Sequence, residues 1–181
     1  LEMSYDEETD RFNSGAVETK GLFEQAYGYF EVRCTLNSKP GYWTAFWIMG
    51  DSVLSENNGG KDGTEIDIYE SPFHNEKKIQ HTLNWDGYGK AHKSSGQVVS
   101  ANVYDGNYHT FGLLWTEDEY VYYIDGKESW RTDAKKARGT CEVPLYVIVS
   151  AETGGWTGAP SPEDLPDSIK VDYVRVYGEV K

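Results

Sequence analysis

Cysteine, long apolar runs and positive charge are all scarce in this chain, and each scarcity excludes something. Only two cysteines, Cys34 and Cys141, occur among 181 residues, too few for a disulfide scaffold. In the segment YFEVRCTL, Cys34 alternates with Phe30 and Val32 on what reads as an apolar strand face, which favours a buried free thiol over a disulfide. No run approaches the ~18 apolar residues that a membrane span needs, and no signal-peptide pattern is present. Lys and Arg total 17 against 30 Asp and Glu, for a net charge of −13. The field of such a chain repels polyanions, so nucleic acid and acidic membrane surfaces are excluded as partners. Helix-period patterns are nearly absent.

What remains is alternation and turn chemistry. Strand-like segments fall at 15–26, 27–37, 42–50, 64–71, 79–85, 108–116, 120–132, 144–152 and 168–178, bounded by Gly, Asn, Asp and Pro. The segment 120–132 folds back on itself at Asp125-Gly126, a hairpin signal. This many strands in one domain spanning 1–181 predict an all-β fold of two stacked antiparallel sheets. The one candidate helix is short, at 132–139. Loops rich in Gly, Asn, Pro and Asp at 51–64, 86–97 and 153–168 are expected to flank a groove. Aromatic residues make up 14% of the chain, with 14 Tyr and 6 Trp. Rings of this kind, where exposed, suit flat and uncharged ligands such as sugars.

The segment TEIDIYE, 64–70, carries the chemistry. Residues two apart on a strand share a face, so Glu65 and Asp67 point one way and Ile66 and Ile68 the other. Strict alternation would send Glu70 into the core, at high cost for a charge. One inserted residue, a β-bulge near Ile68 and Tyr69, returns Glu70 to the acidic face. Three like charges in a row repel and raise some of their own pKa values, so stability gives no reason for the arrangement. A pair of carboxyls roughly 5 Å apart is what retaining glycoside hydrolysis uses. An edge strand with gatekeeping charges and a calcium site are the competing readings of the same pattern.

EIDIYE preceded by SGAVETKGLFEQAYGYFEVRCTLNSKPGYWTAFWIMG, then YHTFGLLWTEDEYVYYIDGK and DSIKVDYVRVYG, resembles the family 16 glycoside hydrolases over nearly the whole chain. The resemblance implies a β-sandwich jelly roll with a concave substrate groove and endo-acting, retaining hydrolysis of β-linked polysaccharide. The glycan is expected to be a β-1,3- or mixed-linkage β-1,3/1,4-glucan, with agar-type or other β-galactans as the alternative. It casts Glu65 as nucleophile, Asp67 as the assisting carboxylate and Glu70 as general acid/base, with the Glu-x-Asp-x-x-Glu spacing of the bulged laminarinase and agarase branch. A non-catalytic sugar-binding jelly roll and a transglycosylase are the other functional readings.

Carried over by position, Trp43 and Trp47 floor the groove, Asn84 hydrogen-bonds a sugar hydroxyl or the nucleophile where laminarinases have histidine, and Trp85 stacks. Trp115 is expected to face the groove, and Glu152 and Trp156 to contact sugar. Lys90, His92 and Lys93 form the one local cluster that could receive a sulfate. His74, His81, His92 and His109 show no metal-ligand spacing, so no catalytic cofactor is expected. A structural calcium held partly by Asp172 is implied, with a structural hydrogen bond there as the alternative. Family members usually begin with a further strand or two, so the chain is expected either to be a truncated or processed form or to build its outer edge differently. The resemblance also implies a secreted or surface-bound monomer.

Overall fold

In the computed structural model, which describes residues 1–37, 39–72, 76–133 and 141–178, the alternating segments form fifteen strands among the described residues. They are β1 (Glu2–Asp6), β2 (Arg11–Asn13), β3 (Ala16–Glu18), β4 (Glu24–Gln25), β5 (Gly28–Cys34), β6 (Tyr42–Met49), β7 (Thr64–Glu70) and β8 (Lys78–Trp85). These continue as β9 (Lys93–Ser100), β10 (His109–Trp115), β11 (Glu119–Ile124), β12 (Lys127–Asp133), β13 (Leu145–Thr153), β14 (Asp167–Ser168) and β15 (Val171–Tyr177). All the pairings are antiparallel.

Two large sheets face each other as a jelly-roll sandwich. One has the order β12-β11-β10-β5-β15; the other has the order β3-β13-β6-β7-β8-β9, with β4 also paired to β13. A small third sheet, β14-β1-β2, closes one end. The core is built by the inward parity of each strand: Phe30 and Val32 of β5 and Phe111 and Leu113 of β10 meet Phe46 and Ile48 of β6 and Ile66 and Ile68 of β7. Each such side chain contributes about 1.5–3 kcal/mol by leaving water. Tyr69 and Phe111 bring the two layers together, with ring centroids 4.2 Å apart.

Alternation located most strands but not all of them. β9, the sequence KSSGQVVS, falls in a stretch read as loop, because its only apolar residues are two adjacent valines with no period-2 pattern. It forms because the unpaired edge of β8 offers a full ladder, from Lys78 opposite Ser100 to Trp85 opposite Lys93. The segment read as one strand at 15–26 is two short ones, β3 and β4, separated by a turn in which Leu22 and Phe23 N–H groups donate to the Thr19 carbonyl. Of the helix expected at 132–139, residues 132 and 133 end β12 and 134–139 lie outside the described residues.

Two tryptophans expected in the groove are instead core. Trp115 is 0% exposed and packs on Tyr27 and Phe30, with centroids at 5.3 and 6.1 Å. It shares strand parity with Phe111 and Leu113, both buried, so it cannot also face outward. Trp85 is 5% exposed and belongs to the same cluster, on the parity of Ile79 and Leu83. Both cysteines are free and buried. Burial raises the Cys34 thiol to about 12 and the Cys141 thiol to about 11, which leaves both inert at neutral pH.

Candidate active site

The bulge expected in β7 is present. Against β8 the register passes from Asp67 opposite Thr82 to Glu70 opposite Gln80, and against β6 from Trp47 opposite Asp67 to Phe46 opposite Tyr69. Ile66, Ile68 and Tyr69 are all 0% exposed, so the extra residue lets two successive side chains enter the core. Glu70 thereby rejoins Glu65 and Asp67 on the outer face of the large sheet. These three acids line a cleft of about 240 Å³ with Trp43, Ala45, Trp47 and Glu152.

Neighbouring strands hold each carboxyl differently. Asn84, directly across β8 from Glu65, donates its amide N–H groups to Glu65 Oε1 at 2.9 Å and Asp67 Oδ2 at 3.1 Å. Its carbonyl oxygen lies 3.1 Å from His92 Nε2, in the donor sense that only a protonated ring nitrogen can supply. The Tyr88 hydroxyl donates to the second oxygen of Glu65. Glu70 accepts from Thr82 Oγ1 at 3.2 Å, and that hydroxyl in turn accepts from Gln80 Nε2 at 3.0 Å. Glu65 has two donors to its carboxylate and Glu70 has one.

Burial is the main reason all three carboxyls sit above their ordinary range. For Glu65 the bonds from Tyr88 and Asn84 oppose that rise by favouring the ionised form. For Glu70 burial outweighs the Thr82 bond, the charges of Glu65 and Glu152 add to it, and the pKa reaches about 7. Asp67 is 6% exposed; burial, then the charges of Glu70 and Glu65, push it well above the ordinary carboxylate range despite Asn84. Environments that push paired carboxyls apart assign acid and base roles.

The other expected contacts sort cleanly. Trp43 and Trp47 are partly exposed in the cleft, and Trp47 is fixed by its indole N–H to Ser150 Oγ at 3.1 Å. Ser150 donates onward to Glu152 Oε1 at 3.2 Å, so Glu152 is a bonded fourth acid of the cleft. Trp156, 51% exposed, stands edge-on to Trp43 at 6.4 Å. Tyr88 was missed in the sequence because it lies in the loop after β8, where no strand periodicity assigns a face. Its one signal was position, four residues beyond Asn84.

Lys93 is tied to Asp86 at 2.6 Å and His92 to Asn84, so two members of the cluster considered for sulfate are already engaged. Asp172 is paired with Arg33 at 2.6 Å. A calcium ion needs six to eight oxygen ligands, and this carboxylate instead faces a guanidinium. Among the described residues no group of three or more His, Cys, Asp or Glu could hold a metal. The Arg33 pair is a structural bond of the kind weighed for Asp172 as the alternative to calcium.

The glycosyl hydrolases family 16 model matches residues 1–175. A keratan-sulfate endo-1,4-beta-galactosidase of Sphingobacterium multivorum is 30% identical over 171 residues, which is 92% of this chain and 40% of that protein. An endo-1,3-1,4-beta-glycanase, ExsH, of Rhizobium meliloti is 30% identical over 168 residues, 92% of this chain and 33% of that protein. The chain thus spans less than half the length of either relative. Among solved structures, the laminarinase from Rhodothermus marinus superposes with a TM-score of 0.85 at 25% identity, covering 100% of this chain and 77% of that one.

Proposed function

The chain belongs to the glycosyl hydrolases family 16, and on that premise we propose that it is a retaining, endo-acting β-glycan hydrolase cleaving β-1,3- or mixed-linkage β-1,3/1,4-glucan. One observation carries the reading: the β7 bulge puts Glu65 and Glu70 on a single strand face in one cleft, where Glu65 receives two donors that favour its charge and Glu70 one, with burial raising Glu70 to about 7. Retaining hydrolysis uses carboxyls roughly 5 Å apart, and only Asp67 stands between these two on their face.

Glu65 attacks the anomeric carbon as Glu70 gives its proton to the glycosidic oxygen. The leaving sugar departs as an alcohol, and a covalent glycosyl-Glu65 ester remains. Glu70, now ionised, takes a proton from water, whose oxygen attacks the same carbon and releases Glu65. Thr82 occupies one oxygen of Glu70, leaving Oε1 to carry the transferable proton. Asp67, whose pKa burial and its two carboxyl neighbours raise well above the ordinary range, shares the Asn84 amide with Glu65. Trp43 and Trp47 supply the flat faces on which sugar rings stack. An alcohol in place of water in the second half gives transglycosylation through the same ester.

β-Galactan is the second reading, favoured by the galactosidase relative. Sulfated chains fit less well, because the cleft is lined by four acids and Lys93 is already paired. A polymeric substrate places the enzyme's work outside the cell or at its surface. Digestion of laminarin, lichenan, agarose and keratan sulfate, with products resolved by size, tests the assignment. Oligosaccharides of several lengths released early from the glucans are expected; cleavage of the galactans alone would replace the first reading with the second.

A further inference from the structure

The β7 bulge has a partner of its own. Two residues, Ile68 and Tyr69, stand opposite one residue of β8, His81. A bulge leaves ladder groups without their usual strand partners. His81 supplies one: its Nδ1 lies 2.7 Å from the Ile68 carbonyl oxygen. A carbonyl only accepts, so Nδ1 carries the proton. The other ring nitrogen, Nε2, lies 2.9 Å from Ser129 Oγ on β12 of the facing sheet and, in the neutral ring, accepts its hydroxyl. The imidazole is 0% exposed, lies parallel to Trp130 at 6.3 Å and 10°, and meets Tyr122 at 4.8 Å.

We propose that His81 is a positioning residue: by bonding the Ile68 carbonyl and anchoring it through Ser129 to the opposite sheet, it fixes the bulge that turns Glu70 into the cleft. A strand can relieve a bulge by slipping one residue, and a one-residue slip sends every side chain beyond it to the other face. Glu70 lies two residues past Ile68, so it is the group that such a slip displaces. Burial lowers the His81 pKa to about 4, so the ring keeps the neutral form this bonding needs at any pH where the row can work. His81 lies on the buried parity of Ile79 and Leu83, on the core side of the sheet, and acts on Glu70 through the backbone. The inference rests on the hydrolase reading for the role of Glu70, but the placement of that carboxyl can be read without turnover.

The test compares His81→Leu, His81→Asn and His81→Gln with the unsubstituted protein. Asn presents its amide N–H near the position of Nδ1 and can still reach Ile68; Gln presents its amide near Nε2 and reaches only toward Ser129. The decisive readout is the ¹³C NMR titration of the Glu70 carboxyl. Its midpoint, expected near 7 in the unsubstituted protein because burial raises it, should move by roughly half a unit or more in His81→Leu and return in His81→Asn. In parallel, kcat should fall about 100-fold in His81→Leu with KM changed by less than about threefold, and recover in His81→Asn. An unmoved Glu70 midpoint in folded His81→Leu overturns the proposal whatever happens to the melting temperature. If that variant does not fold, the same reading is taken from His81→Gln. A midpoint that moves in a protein that cleaves none of the glycans would leave this inference standing and remove the hydrolase reading instead.

Discussion

Glu70 and Glu65 are the same residue type five positions apart, and their environments alone separate their tasks. Burial pushes Glu70, which has one donor, up to about 7, so on the hydrolase reading it is the group whose ionisation should end activity on the alkaline side. Glu70→Gln is therefore expected to abolish that limb of the kcat/KM profile. It should also cost 10²–10⁴-fold on poor leaving groups and far less on activated aryl glycosides; equal losses on both, measured in steady state, would contradict the acid role. Tyr88 donates to Glu65 and so lowers its pKa. Removing that donor in Tyr88→Phe favours the protonated, non-nucleophilic form. The acid limb should move to higher pH, with turnover down about 10- to 100-fold, the worth of a hydrogen bond to a charged group. At this scale the sequence was informative where parity was applied consistently. Placing Trp85 and Trp115 by family position overrode the buried parity they share with Leu83 and Leu113.

At the scale of elements, the bulge was legible because a charge facing a core is expensive, and the register shift between Asp67 and Glu70 answers that cost. β9 was not, since an edge strand whose side chains are mostly exposed needs no apolar alternation to pair. Nor was the His81–Ser129 bond, which depends on how two sheets stack rather than on spacing along either. The loop carrying Trp156 is held by a close approach that also escapes sequence reading. Gly41 has φ +80°, and a Cβ there would stand 2.2 Å from the Pro160 Cα. Gly41→Ala should cost at least about 1–2 kcal/mol from the left-handed backbone alone. Displacement of the 158–160 segment adds to that, and urea denaturation measures the sum. An unchanged midpoint would show that the loop does not need this contact.

For the molecule as a whole, two buried groups pull its stability in opposite directions with pH. His81 has a folded pKa near 4 against an ordinary 6.5, so the unfolded chain binds its proton more tightly and stability falls as pH drops from about 6.5 to 4. Glu70 has a folded pKa near 7 against 4.5; here the folded state holds the proton more tightly, and stability falls as pH rises from about 4.5 to 7. The melting temperature of Glu70→Gln should thus match the native protein below pH 4.5 and exceed it progressively up to pH 7. A constant gap across that range in calorimetry would mean that Glu70 is not held protonated by the fold. On the proposed reading, the sandwich, the bulge and the cleft let one carboxyl attack while its neighbour delivers and then removes a proton. That account has a stereochemical consequence. Proton NMR of laminarin or lichenan digestion, followed from the first minutes, should show the new reducing ends appearing as the β-anomer, with the α-anomer growing in only as they mutarotate. Reducing ends that appear first as the α-anomer would contradict attack by Glu65 and the covalent intermediate it forms.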